Sequence, residues 1–530
     1  MSVKSKLFAA VGAGALAMLS APAAAQHAGH GGMSMLMPAK AAPKKKPAAK
    51  RAPAKKAVAK KPSSKPAAKM TATKKAPAKS AAKSQRATID HSQMDHSQMD
   101  HAMPMPSEPV QEPGAEAAAP IEHSQMNHTT MGHDEMAAGK HVGRAEMTGA
   151  LGPYPMTRES SGTAWQPDAS EHMGFMSKAG DLDLMAHGML NLVSDHQGGR
   201  RGDEKTFVSG MLMGMARRPL GDGTLQFRAS VSPDPLMGVR GYPLLLASGE
   251  TANGTDRLID RQHPHDFFME LSASLSQNIG PNSSVFVYAA LPGEPAFGPP
   301  AFMHREAILD SPEAPISHHW LDSTHISFGV LTGGLVLDRV KVELSRFNGR
   351  EPDQHRWDIE TAPLDSTALR VSWNPTSELS LQGSWGRFVD PEQLEPGVDQ
   401  TRWSASALYA REIAPGWKLA GTLAWGRKTV AGHSDDAGAL EASLKHRGWT
   451  LFGRGEMTEN RELIDEVDHG PAFRVGKISA GAVRDLRVAE HLSLGLGGLL
   501  AVNFVPDGLA PLYGGDNPIG AMGFLRLKLD

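Results

Sequence analysis

Cysteine is absent from all 530 residues. Disulfide scaffolds, thiolate metal sites and thiol catalysis are therefore excluded, and so is the side chain that redox-active metals oxidise most readily. Long apolar runs are missing too: after the first residues no stretch approaches the roughly 18 needed for a membrane-spanning helix. Aromatic residues are sparse at 6%, and neither sign of charge prevails, with a formal net charge of −2. Catalytic signatures are also lacking. There is no G-x-S-x-G nucleophile turn, no phosphate-binding loop, no dinucleotide fingerprint and no H-E-x-x-H helix. No enzyme is expected; an outer-membrane hydrolase built on Ser and His is the third and weakest reading, with no motif behind it.

What is abundant is unevenly placed: 38 Pro, 55 Gly, 27 Met and 23 His. Lys4 and Lys6, the apolar stretch from Leu7 to Leu19, and Ala23-Ala24-Ala25 before Gln26 read as a secretory signal over residues 1–25. Residues 26–87 follow as a disordered Ala/Pro/Lys-rich linker. From Lys40 to Lys83 there is no acidic residue, and repelling charges with frequent prolines keep such a chain extended. A solvated spacer is the plain reading; contact with lipopolysaccharide or another envelope polyanion is the other. Nucleic acid is not expected as a partner, because the signal directs the chain out of the cytoplasm.

Residues 88–145 carry a repeat. It runs Asp90-His91-Ser92-Gln93-Met94, Asp95-His96-Ser97-Gln98-Met99 and Asp100-His101-Ala102-Met103-Pro104-Met105. It returns as Glu122-His123-Ser124-Gln125-Met126, Asn127-His128-Thr129-Thr130-Met131 and Gly132-His133-Asp134-Glu135-Met136. Thioethers are soft, uncharged ligands suited to Cu(I) and Ag(I), while imidazole suits Cu(II) as well. The candidate ligands are thus His91, Met94, His96, Met99, His101, Met103, Met105, His123, Met126, His128, Met131, His133 and Met136. Copper or silver is expected as bound cargo rather than as a catalytic cofactor. A linker with chance His and Met, or a zinc- or nickel-binding tail, are the competing readings; thioethers add little for those two ions.

These repeats resemble the Met/His-rich N-terminal regions of copper-resistance outer-membrane proteins of the CopB/PcoB type, and of their periplasmic multicopper-oxidase companions. The part beyond residue 180 resembles uncharacterised outer-membrane proteins encoded with heavy-metal-resistance functions. The resemblance implies an outer-membrane location, a role in copper tolerance and periplasmic copper-handling proteins as partners.

After a linker at 146–179, residues 180–530 alternate apolar with polar or small side chains over runs of about ten residues, the length a tilted membrane strand needs. The spacing predicts strands at about 181–193, 205–217, 223–233, 266–277, 283–291, 323–333, 336–347, 366–374, 378–388, 401–412, 416–427, 437–446, 448–458, 472–486, 490–504 and 518–529. Links after even-numbered strands are short, among them Gly333-Gly334, Ala414-Pro415 and Gly448. Those after odd strands are long, above all 234–265 and 292–322. Such segregation marks an all-β, antiparallel outer-membrane barrel of about sixteen strands (fourteen to eighteen), with its short turns and N-terminal tail in the periplasm of a Gram-negative bacterium. Trp320, Trp373, Trp403, Tyr409, Trp417 and Trp449 fall near strand ends, where interfacial girdles lie.

The two longest links hold a second candidate metal cluster: His263, His265, His304, His318, His319 and His325, with Glu294, Glu306, Glu313 and Asp322 nearby. Folded into the lumen these build a metal site or a constriction; otherwise they fix the loops by hydrogen bonds. The whole reads as a barrel whose tail sequesters copper or silver, the alternative being a general porin or transport barrel tethered by that tail.

Overall fold

The computed structural model describes residues 147–171, 174–464 and 470–529. The thirteen repeat residues proposed as ligands, from His91 to Met136, lie outside the described residues, as do the signal and the Ala/Pro/Lys stretch.

Among the described residues the strands are β1 (Phe175–Ala179), β2 (Leu182–Gln197), β3 (Glu204–Leu220), β4 (Gly223–Val231), β5 (Tyr242–Thr251), β6 (Arg257–Gln262), β7 (Phe268–Gly280), β8 (Ser283–Ala290), β9 (Val330–Leu337) and β10 (Val340–Phe347). They continue as β11 (Ser366–Trp373), β12 (Leu379–Phe388), β13 (Gln400–Ala414), β14 (Trp417–Val430), β15 (His433–His446), β16 (Trp449–Asn460), β17 (Phe473–Ala489), β18 (Leu492–Phe504) and β19 (Ile519–Leu529). β19 returns to β2, from Gly520↔Gln197 to Leu529↔Gly188, and closes an antiparallel ring of 16 strands. β1 prolongs that seam by pairing with the start of β2. β5 and β6 form a separate hairpin inside the link between β4 and β7.

Alternation explains the wall. On β13, Arg402, Ser404 and Ser406 are buried toward the lumen, while Trp403 stands outside with 49% exposure. On β18, Ser493 and Asn503 point in, while Leu494, Leu496 and Leu500 point out, the last two 66% exposed. An apolar band carried round the outside, over Phe227, Leu275, Leu344, Leu423, Leu440 and Ile478, matches lipid rather than water. Exposed Trp373, Trp417 and Trp449 sit at the short-turn ends of their strands, and Trp403 and Trp425 toward the opposite ends. Closure leaves no strand edge unpaired, as hydrocarbon requires. This is an outer-membrane β-barrel.

All sixteen segments read from the alternation overlap wall strands, with corrections. The segment 323–333 is not a strand from its start: Ser323–His325 is a 3-10 turn, and β9 begins at Val330. The following turn is therefore at Asp338-Arg339, where Asp338 has φ 55°, not at Gly333-Gly334. The turn after β13 is Pro415-Gly416. At the long-loop end one link is tight. Ala431-Gly432 joins β14 to β15 with φ of 48° and 86°, the two left-handed residues of a type I′ hairpin. Trp320 belongs to no girdle; it is buried in the lumen and donates its indole N–H to the Asp435 carbonyl at 3.1 Å.

The lumen is filled from both ends. Residues 147–171, read from sequence within a linker, pack inside the short-turn end as a strap. Its backbone oxygens accept from the wall: Ala150 from Ser276 at 2.7 Å, Leu151 from Ser284 at 2.6 Å, Thr148 from Arg217 at 2.7 Å and Gln166 from Asn374 at 2.8 Å. A chain without regular structure needs such donors when buried, and the barrel's polar inner face supplies them. From the other end come the β5–β6 hairpin, with Leu244, Leu245 and Leu246 fully buried, and the link 291–329.

Candidate metal centre in the lumen

The link 291–329 is held by charge. Arg305, fully buried, grips Glu441 of β15 through Nε and Nη2 at 2.8 and 2.7 Å, donates to the Pro300 carbonyl at 2.9 Å, and pairs with Asp322. Arg526 of β19 holds Asp310 at 2.7 Å. Arg454 of β16 donates to the Glu313 and Ala314 carbonyls at 2.9 Å, and Glu456 accepts from Ser317 Oγ at 2.7 Å. Charge-assisted bonds of this kind are short and directional. They fix the short helical turn His318–Leu321 and the 3-10 turn after it.

On that base three imidazoles converge. His265, His318 and His325 are buried, and their ligand-capable ring nitrogens lie within 4.8 Å of one another. Ring centroids are 5.1 Å apart for His265–His325 and 5.2 Å for His318–His325. Each ring is oriented through Nδ1. His265 Nδ1 bonds the Asp234 carboxylate at 2.8 Å, His318 Nδ1 bonds Asp322 Oδ1 at 2.8 Å, and His325 Nδ1 bonds the Asp322 carbonyl at 2.7 Å. Oxygens that accept at Nδ1 place the proton there, so each ring offers Nε2 as a lone pair. The buried Nε2 atoms of His265 and His325 have no hydrogen-bond partner. Carboxylate- and carbonyl-oriented imidazoles with free second nitrogens are the usual arrangement around a bound transition metal.

Burial disfavours the charged form of two of these rings. Burial pushes His325 well below its usual range, and the adjacent His265 and His318 add to this. Burial also lowers His318, against the opposing bond to Asp322. Asp322 itself, despite burial, is held below the ordinary carboxylate range by Arg305 and His318. One aspartate therefore orients two of the three rings and ties them to the wall.

The structure divides the six histidines expected here. His265, His318 and His325 form the cluster. His263 adjoins it, 6.0 Å from His318 and 6.5 Å from His265 by ring centroids. Its Nδ1 lies 3.2 Å from Glu250 and its Nε2 has no partner; burial and the nearby Arg356 lower its pKa. His319 turns away to Glu351 at 3.3 Å, which raises its pKa although burial opposes. His304 is elsewhere, 6.1 Å from His187 of β2, with its pKa pushed down to about 3 by burial. Of the acids, Glu294, Glu306 and Glu313 stand apart from the cluster's hydrogen bonds, and Asp322 is central. The orienting residue missed from sequence is Asp234, which follows Pro233 in an unremarkable turn.

No protein-family model matches this chain, and no curated protein matches it. Solved structures to which it is similar include OmpF of Salmonella typhi in complex with daunomycin. That similarity has 12% identity and TM-score 0.43, covering 67% of this chain and 100% of that one. An anion-selective porin from Comamonas acidovorans is similar at 12% identity and TM-score 0.39, over 66% and 100% of the two chains. The outer-membrane OmpT of Vibrio cholerae is similar at 9% identity and TM-score 0.39, over 67% and 100%.

Proposed function

We propose that the chain is a transport-type outer-membrane barrel whose cargo is a transition-metal ion, copper foremost, with silver as its chemical mimic. The observation that carries this reading is the trio His265, His318 and His325: three buried rings, each oriented through Nδ1. Imidazole accepts copper in both oxidation states, and also zinc. The repeats between His91 and Met136, rich in thioethers, favour copper and silver over zinc and would collect ions for the barrel from the periplasm. The ring nitrogens of the trio, all within 4.8 Å of one another, are close enough to share one ion at metal–nitrogen bonds of about 2.0–2.1 Å.

The test is metal binding by the full chain with Ala at the His and Met positions of the repeats. Cu(II) and Zn(II) should bind at one equivalent, and H265A or H318A should weaken this at least about tenfold, or 1.4 kcal/mol. Unaltered binding in both variants would remove the metal reading.

A general porin is the second reading, favoured by the charged inner wall of Arg370, Arg402, Arg454 and Glu343. It requires an open path, whereas the strap and the link 291–329 fill this lumen. Conductance in planar bilayers separates the two: an open channel for small ions without metal supports the porin.

A further inference from the structure

One stretch of the inner face of β2 and β3 breaks the rule that barrel interiors are polar. Three directly opposed pairs face inward there, in order from the short-turn end: Met185↔Met215, His187↔Met213 and Met189↔Met211. His187 and Met213 are in contact, with Nε2 3.3 Å from Sδ. With metal–nitrogen and metal–sulfur bonds of roughly 2.0–2.3 Å, one ion bridging those two atoms subtends an angle of about 100°. Met303 and His304, from the 3-10 turn Phe302–His304, cover the ladder and line with it a cavity of about 70 Å³. Met156 of the strap lines the same cavity from the short-turn end.

Two further cavities share lining residues with this one. Met303 also lines an adjoining cavity of about 60 Å³ that reaches His187, Met189, Met211, Asp234 and His265. A third, of about 20 Å³, places Met303 and His304 beside His325. The top of the ladder is tied to the three-histidine cluster through Asp234, which accepts from the Gly210 N–H at 3.3 Å while holding His265.

We infer that this ladder is a second metal site, a thioether-rich one that takes a monovalent soft ion, Cu(I) or Ag(I), and passes it between the strap and the three histidines by way of Met303. Several neutral sulfurs with one or two imidazoles suit monovalent ions and discriminate against zinc. Of the cations nearby, Arg228 is paired with Glu270 at 2.9 Å and Lys528 lines the adjoining cavity, while Glu159, Glu171 and Glu306 line the ladder's own cavity, Glu171 being paired with Lys418 and Lys445. Methionines merely filling space account for neither the imidazole in the middle of the ladder nor the second imidazole over it. Only the handover rests on the three-histidine reading; binding at the ladder stands without it.

The experiment is Ag(I) binding to the full chain with its repeat His and Met replaced by Ala, followed by competition and by X-ray absorption at the silver edge. The parent should show sulfur and nitrogen neighbours. The variant M185L/M213L/M215L should bind Ag(I) at least tenfold more weakly and lose the sulfur shell, while Zn(II) binding at the histidines stays within twofold. H265A should show the reverse. Unchanged Ag(I) affinity in the triple variant, or a parent spectrum without sulfur, overturns the ladder. Unchanged Zn(II) affinity in H265A overturns the three-histidine centre and leaves the ladder standing. Should the triple variant fail to fold, M213L alone is scored by the same sulfur signal.

Discussion

Two arcs of one wall face the same lumen with opposite chemistry. From β10 to β17 the inward side chains include Lys341, Glu343, Arg370, Arg402, Glu441, Arg454, Glu456 and Lys477, all buried. On β2 and β3 a run of five methionines and a histidine faces in, flanked by polar residues such as Asn191, Ser209 and Arg217. The charged arc makes directional bonds to named atoms of the strap and the link 291–329, which fixes those segments in place. The thioether arc makes few such bonds and leaves cavities. Rigidity thus comes from one arc and ligand chemistry from the other, and the histidine cluster lies on the segments that span between them.

The largest expected effect tests the charged arc. Arg305→Ala strands Glu441 and Asp322 in the lumen without their cation, and breaking a buried, paired network costs about 3–5 kcal/mol. Thermal unfolding in detergent should show that loss, together with weaker Cu(II) binding, because Asp322 orients His318 and His325. A stability change below about 1 kcal/mol would mean that the link is not held as described.

Next is the outer face, which both arcs share. Leu500 is 66% exposed near the middle of β18. In lipid, Leu500→Arg should cost about 2–4 kcal/mol, the range for arginine near the bilayer midplane, read by guanidinium unfolding from vesicles. On a water-exposed strand the same change would be close to neutral.

Asp234→Asn comes third. It touches no metal in the proposed arrangement but holds His265 by Nδ1, and losing such an orienting partner lowers metal affinity about 10–100-fold. Zn(II) titration of the repeat-replaced chain checks this, with thermal stability as the control. Loss of affinity with unchanged stability marks orientation; parallel loss of both marks a structural role.

The wall was legible because lipid imposes a rule on every crossing segment: about ten alternating residues, then a turn. The β5–β6 hairpin follows no such rule. Its first strand is buried along nearly its whole length, so Leu244-Leu245-Leu246 run without alternation, and its pairing shifts register at Pro243/Ser248 and Gly249/Thr251. The strap was illegible for another reason. Its buried backbone is satisfied by Arg217, Ser276, Ser284 and Asn374, which lie far along the chain, and composition cannot pair them. Within the site, sequence supplied the histidines but not their grouping. His304 precedes His318 by fourteen residues in the same link, yet its ring stands beside His187 of β2. A signal for that second group does exist. Met211, Met213 and Met215 recur at period two, as do Met185, His187 and Met189, which places all six on one face of a two-stranded ribbon.

That periodicity also sets the smallest predicted effect. If the β2–β3 methionines are kept for sulfur rather than for bulk, Met213→Leu should cost less than about 1.5 kcal/mol, as volume-conserving apolar swaps do. The matching change on the other arc, Arg370→Leu, should cost more, because it leaves Glu343 and the Gly298 carbonyl without the donor they now share. Parallel thermal melts of the two variants measure the difference directly. Equal costs would show that both arcs serve only to pack the lumen. A small cost at Met213, set against a large fall in silver affinity, would separate what that position does for folding from what it does for the ion.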